Sequence, residues 1–391
     1  MMKRLINIIA LTTLMIGFFL LIKPFAKDYQ IKKDTQQAID RFNERVEIKK
    51  ADFVIELENC LKSEENVSLS DYGIYTADDI DRVYIPDLMF DLRLRVSDET
   101  RAKLPEMPFS NIYNSMYDYN VSIYENKQSE LKDAFSYTTN DFELESYGLT
   151  DDIIGFITID AMNIKLPMYI GSSEDHMSHG ATIMNQTSMP IGGNNTNCVV
   201  AAHRSLGFFL NIENLSEGDT IIINNLWGEM GYTVIKTAVI SPYDIDKIKI
   251  YPERELLTLI TCHPYGINND RYVVYCARND DVIPNHIKIV TAQLHVSQQT
   301  DNEIMFNSEG DSITGHSYKD VPDSTDRSFD ITELPLGNEF VSSSKSIRSE
   351  IILRVIGIIM TGVFIFIFLV MRTGDLIRFI KERKNPKTNL Q

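Results

Sequence analysis

Two almost unbroken apolar runs stand near the ends of the chain, at residues 5–22 and 355–371. Each is about as long as a helix needs to cross a bilayer, and the apolar residues 351–353 extend the second. Lys3 and Arg4 precede the first run, and Arg372, Arg378, Lys381, Arg383 and Lys384 follow the second. Basic flanks at both ends predict two transmembrane helices, with both termini cytoplasmic and the residues between them outside. A cleaved leader is the alternative for the first run. Its exit, Lys23-Pro24-Phe25-Ala26-Lys27, lacks a small-x-small cleavage site, which favours an uncleaved helix.

Between these runs the pattern changes character three times. Residues 1–27 hold a cytoplasmic stub and the first span. Residues 28–118 carry apolar positions at helical spacing, as around 36–39 and 53–57, with charged flanks and prolines at 86, 105 and 108. They predict a helical, loop-broken extension. A short segment, 119–150, leads into the next region. From 151 to 296 the pattern is of short β-type runs, at 154–159, 164–170, 197–202, 220–224, 232–240, 256–261 and 272–276, with a further candidate at 286–294. Turn residues separate them, including Gly192-Gly193-Asn194-Asn195 and Gly266-Ile267-Asn268-Asn269. Many short strands at this spacing predict a sandwich or a closed barrel. Residues 297–350 are rich in Ser, Asp, Glu, Asn and Thr and poor in large apolar residues, the composition of a disordered acidic tether. The second span, 351–371, and a basic tail, 372–391, complete the chain.

The net charge of −17 opposes binding to nucleic acid, whose phosphates would be repelled. The four cysteines, Cys60, Cys198, Cys262 and Cys276, form no CxxC pair, and the seven histidines are scattered, so no structural zinc site is expected. Cys198 and Cys276 lie in apolar strand runs and read as core residues. An outside location permits disulfides, and spacing alone leaves any pairing open.

One constellation carries chemistry. Cys262 ends the run Leu256-Leu-Thr-Leu-Ile-Thr-Cys and is followed at once by turn material. His203 ends the run Val199-Val-Ala-Ala-His, and Arg271 opens the next strand, nine positions after Cys262. Cys262 and Arg271 thus sit at the linked ends of one hairpin. A thiolate is the reactive form of cysteine. A nearby imidazole takes the thiol proton and returns it to a leaving amine, and a fixed guanidinium stabilises an oxyanion. A strand cysteine is also an ordinary small hydrophobe, so these three residues alone leave a structural role open. His263 adjoins Cys262, but neighbours on a strand point to opposite faces, which favours His203 as the base.

The local strings narrow the choice. Thr258-Leu259-Ile260-Thr261-Cys262 resembles the TLxTC signature of sortases. His203-Arg204 after a small-residue strand is similar to the sortase histidine segment, and Arg271 stands where the sortase arginine stands. The resemblance covers about residues 119 to 278. It implies a mainly β fold, a closed eight-stranded sortase-type barrel, here with helical N-terminal additions and two transmembrane helices. It implies a cysteine transpeptidase without metal or organic cofactor, with Cys262 as nucleophile, His203 as proton partner, and Arg271 as oxyanion cation supported by Thr261. The substrate expected is an LPxTG-like sorting signal, cut between Thr and Gly. Two membrane helices resemble class C, the pilin-polymerising type, whose acceptor is a pilin lysine amine. That class carries an Asp-Pro-aromatic lid, to which Asp133-Ala134-Phe135 is similar. By resemblance Asp133 engages Arg271 and Phe135 covers Cys262. Ala134 departs from the pattern and implies a less rigid lid; His263 departs from a usual Thr. Two readings stay open beside this one: a housekeeping-like sortase with a peptidoglycan-precursor acceptor, and a membrane-tethered β-rich scaffold with an inert Cys262. In the sortase readings the cell is Gram-positive and the barrel faces the wall.

Overall fold

The computed structural model describes residues 2–83, 85–137, 142–282 and 344–384. Among these, the contacts divide into two compact units, 2–32 with 344–384, and 33–282. The smaller unit holds the two apolar segments. Its first belongs to α1 (Met2–Leu61), a helix that continues past residue 27 into the second unit with Pro24 inside it. The apolar run ends at residue 22, but the 28–61 stretch is rich in Lys, Glu, Asp and Gln and has no glycine or proline to stop the helix. The other segment is in the last described helix, Ser344–Lys384. Both segments are long and apolar enough to cross a membrane. Within this unit Leu21 lies near Gly357 and Phe18 near Gly362.

One expectation is corrected here. Residues 344–350, assigned by composition to the tether, are the first turns of the terminal helix. Ile347 is buried, and Glu350 accepts from the Arg354 Nε one turn later at 2.9 Å, so these residues are ordered by packing and an i,i+4 pair. The rest of the tether, the strand expected at 286–294 and residues 385–391 of the tail lie outside the described residues.

Among the described residues the larger unit holds a helical core and an apolar cluster within the barrel. The helical core packs Phe53, Val54, Leu57 and Leu61 of α1 against Leu88, Met89 and Leu92 of α2 (Ile85–Arg95) and against Val67, Leu69 and Ile74 of the intervening loop. The positions of α1 recur at the i, i+3/i+4 spacing of one helix face. Two further helices follow, α3 (Asp98–Arg101) and α4 (Ser110–Glu125). From α4, the Asn120 side chain accepts from the Met189 amide at 2.7 Å, fixing the helix to a loop of the β region.

Eight strands close a barrel: β1 (Ile153–Ile159), β2 (Ile164–Ile170), β3 (Ala181–Ile183), β4 (Thr196–Ala201), β5 (Thr220–Asn225), β6 (Glu229–Ile240), β7 (Glu255–His263) and β8 (Asp270–Arg278). The order around the barrel is β1-β2-β3-β4-β7-β8-β6-β5, closed by the antiparallel β5–β1 pair. A short helix, α5 (Glu174–His179), carries the chain from β2 to β3, which pair in parallel; β4 and β7 are the other parallel pair. The β-branched runs set these strands, as in Ile-Ile-Gly-Phe-Ile-Thr-Ile of β1 and Thr-Ile-Ile-Ile of β5. Strands β3 and the start of β6 are additions to the sequence reading. The first has only three residues and the second opens on Glu229-Met-Gly, neither of which shows an apolar alternation.

The closing seam depends on one close approach. A Cβ at Gly155 of β1 would sit 2.0 Å from the backbone oxygen of Asn224 on β5. Gly155→Ala is therefore expected to lower the stability of the barrel by roughly 1–3 kcal/mol through forced displacement of backbone. Chemical denaturation of wild type and variant checks it, and an unchanged midpoint would show that the seam relaxes freely.

Candidate active site

Three adjacent strands converge on Cys262. In the β7–β8 ladder Cys262 pairs directly with Arg271, Ile260 with Val273 and Thr258 with Tyr275. In the parallel β4–β7 ladder Ala201 pairs with Ile260. Since side chains alternate, residues 258, 260 and 262 share a face with 271, 273 and 275 on one side and with 199 and 201 on the other. Val199, Ala201, Ile260, Val273 and Tyr275 all belong to one apolar cluster on this face. Cys262 and Arg271 prolong that row to the rim, and His203 lies two residues past the end of β4 on the flank opposite Arg271. Cys262 and His203 are half-buried, while Arg271 is 7% exposed.

Two hydrogen bonds tie the His203 backbone to the Cys262 strand. The Ala202 amide donates to the Ile260 carbonyl at 3.3 Å, and the buried Thr261 hydroxyl donates to the Ala202 carbonyl at 2.7 Å. The single hydroxyl proton of Thr261 is thus engaged by Ala202, on the face opposite Cys262.

A segment from the N-terminal side covers the site. Two left-handed residues, Lys127 and Gln128, end the turn after α4 and redirect the chain. The Gln128 side-chain amide then donates to the Gln186 carbonyl at 2.7 Å and accepts from the Ile250 amide at 2.6 Å, pinning the segment to two barrel loops. Leu131 and Ala134 bury themselves in the same apolar cluster that underlies the rim. Between them Asp133 meets Arg271 in a bidentate pair, Oδ1 to Nε and Oδ2 to Nη2, both at 2.7 Å. Asp133 Oδ2 also accepts from the Phe135 amide at 3.2 Å, which shapes the turn 134–136. Phe135 lies over the Arg271 guanidinium at 4.8 Å and its ring centre is 6.1 Å from that of His203. Tyr137, which the sequence did not single out, meets His203 edge-on at 6.5 Å. The proline missing at 134 is offset by these anchors: the buried methyl of Ala134, the turn bond and the bidentate ion pair.

The electrostatics follow from this cover. Burial pushes the Cys262 thiol above its ordinary value; Arg271 and Arg204 pull it down, and the Asp133 carboxylate pushes it up again. Burial opposes the charge on Arg271, but the Asp133 carboxylate outweighs it and raises the guanidinium further. Burial and the neighbouring Cys262 likewise raise the Tyr137 phenol. The other cysteines behave differently. Cys198 and Cys276 are free, deeply buried and pushed far up by desolvation, and Cys60 donates to the Lys103 carbonyl at 3.0 Å. Among the described residues no group of His, Cys, Asp or Glu side chains converges to hold a metal ion.

Comparison with known proteins gives the geometry a family. The Sortase domain family model matches residues 157–279, the stretch from β1 to β8. A crystal structure of Streptococcus agalactiae sortase C1 is 32% identical, with 43% of this chain and 87% of that one covered, at a TM-score of 0.40. Residues 157–279 of this chain are thus a Sortase domain. Sortase D of Bacillus subtilis (strain 168) is 29% identical over 132 residues, which are 33% of this chain and 65% of sortase D, just under two thirds of its length. Sortase C1 of Streptococcus agalactiae in complex with MTSET is 27% identical, with 49% of this chain and 96% of that one covered, at a TM-score of 0.41.

The Asp133 carboxylate raises the Cys262 thiol, so removing its charge should lower it. In Asp133→Asn the pH profile of Cys262 alkylation by iodoacetamide, which reads the thiolate, is expected to move to lower pH than in wild type. A profile that stays in place or moves upward contradicts this reading of the electrostatics around Cys262.

Proposed function

We propose that this sortase is a cysteine transpeptidase of the class C, pilin-joining type. The observation that carries the reading is the single cluster formed by Cys262, Arg271, His203 and the Asp133–Phe135 cover, with the cation paired to a carboxylate from the cover. In this reading Cys262 attacks the threonine carbonyl carbon of an LPxTG-like sorting signal. Arg271 stabilises the oxyanion, the Thr–Gly bond breaks, and His203 hands its proton to the departing glycine amine. A lysine amine of a pilin then attacks the thioester, an isopeptide bond forms, and the Cys262 thiol is released. No metal or organic cofactor enters any step.

The cover must leave before a peptide reaches Cys262. Asp133 holds Arg271 with the same fork geometry that a substrate oxygen would need, so the two compete for one guanidinium. Residues 119–150 act as the lid-bearing segment and 151–296 as the catalytic domain. The two apolar helices anchor the chain in the membrane of a Gram-positive cell, with both termini cytoplasmic and the catalytic domain outside. The basic flanks of the apolar segments support that orientation. A housekeeping-like activity, with a peptidoglycan-precursor amine as acceptor, differs only in the second half-reaction. The inert scaffold is the remaining reading.

The full chain in detergent micelles, incubated with an LPxTG peptide and quenched in acid, should gain the mass of the peptide up to threonine. The adduct should be labile to hydroxylamine, absent in Cys262→Ala and faster to form in Phe135→Ala. In Arg271→Ala the acylation rate should fall by roughly 100- to 1,000-fold, the range for loss of an oxyanion donor. Absence of any adduct in both wild type and Phe135→Ala would leave the scaffold reading standing.

A further inference from the structure

Beneath the rim, on the face opposite the Cys262 sulfur, three polar side chains are buried together. The Arg204 and Glu213 side chains are 1% and 3% exposed, and His263 is 2% exposed. Glu213, from the turn Phe209–Asn214, accepts from Arg204 Nη2. Arg204 Nη1 donates at 3.2 Å to the Cys262 carbonyl and lies 3.0 Å from His263 Nδ1. Arginine has no acceptor, so Nδ1 of His263 accepts in the Arg204 contact; the same nitrogen lies 3.4 Å from Glu213 Oε1, toward which it would donate in the other tautomer. The guanidinium and the His263 ring both pack near Tyr272, at 5.9 and 5.8 Å.

The connectivity is the informative part. Arg204 is bonded through the backbone to His203, and its side chain grips the carbonyl of Cys262. On the other flank Ala202 is tied to Ile260 and Thr261. The backbones of His203 and Cys262 are thus bracketed from both sides, and one of the two brackets is a buried guanidinium. A buried ion pair is poor evidence for stability, because apolar replacements of both charges are often neutral or better. Its retention directly behind the nucleophile asks for another reason.

We propose that Arg204, seated by Glu213 and His263, is a positioning residue that sets the Cys262–His203 geometry for acyl transfer. The proposal rests on the transpeptidase reading above. It also accounts for His263, which supplies the acceptor that turns the second edge of the guanidinium toward the Cys262 carbonyl.

The test uses the full chain in micelles and two readouts, single-turnover acylation by an LPxTG peptide and peptide-free alkylation of Cys262 by iodoacetamide. Arg204→Met with Glu213→Leu removes both charges and leaves no unpaired ion. In that double variant the acylation rate constant should fall by roughly 10- to 100-fold, as for a displacement of about 1 Å. The peptide concentration at half-maximal rate should stay within about twofold, and alkylation should slow as well. His263→Asn keeps an acceptor near the Nδ1 position and should hold acylation within about threefold, whereas His263→Leu should lose as much as the double variant. A folded double variant with unchanged acylation and alkylation overturns the clamp, as does equal behaviour of His263→Asn and His263→Leu. If the double variant does not fold, the two His263 variants decide. A wild-type chain that never acylates, while alkylation still slows in the variants, sinks the transpeptidase reading and leaves the clamp.

Discussion

The Nε/Nη2 edge of the Arg271 guanidinium takes one carboxylate at a time, while Nη1 is held by the Asn268 and Asp270 carbonyls, and the organisation of the site follows from that limit. Arg271 pairs across the ladder with Cys262, so whatever occupies Arg271 also stands over the thiol. In the structure the occupant is Asp133, through two 2.7 Å bonds, with Phe135 stacked on the cation and reaching His203. The cation is thereby neutralised and the thiol is held above its ordinary value. In the proposed acyl transfer this covered site is the resting arrangement, with the Asp133 carboxylate of the cover helping to keep it so.

That arrangement relies on parts lying well outside the site. Gln128 pins the chain to loops at 186 and 250, and Asn120 pins α4 to the loop at 189. Leu131 and Ala134 share the apolar cluster that also backs β4, β7 and β8. The covering segment is therefore continuous with the packing that aligns the strands, and its position is set by the same core that sets Cys262. On the reverse face, Arg204, Glu213 and His263 form a second set of constraints, so the nucleophile's backbone is held by hydrogen bonds on both flanks.

Much of this was legible in the chain because β-branched runs and strand ends carry strong signals. The string 258–262 and the placement of Arg271 marked a hairpin with chemistry at its tip, and β7 and β8 form that hairpin. The three-residue β3 left no periodic trace, and the polar opening of β6 hid its first turn of ladder. The continuity of α1 was obscured because the apolar run ends well before the helix does. For Thr261 the motif shows its place beside Cys262 but not that its hydroxyl donates to the Ala202 carbonyl. Glu213 had no local signal at all: a charged residue in a polar stretch reads as solvated, and only the fold brings it to Arg204. Tyr137 was missed for the same reason, since its partner His203 lies 66 positions away in the chain.

The claim that the lid and the substrate compete for Arg271 is tested most directly by hydrogen–deuterium exchange across residues 131–137 of the full chain, before and after Cys262 is acylated by an LPxTG peptide. The Phe135 amide is protected in the covered state by Asp133. The account predicts that this protection is lost when the thioester forms, together with faster exchange at Ser136. Full acylation with unchanged protection over 131–137 would contradict it, because substrate and lid would then occupy the site together.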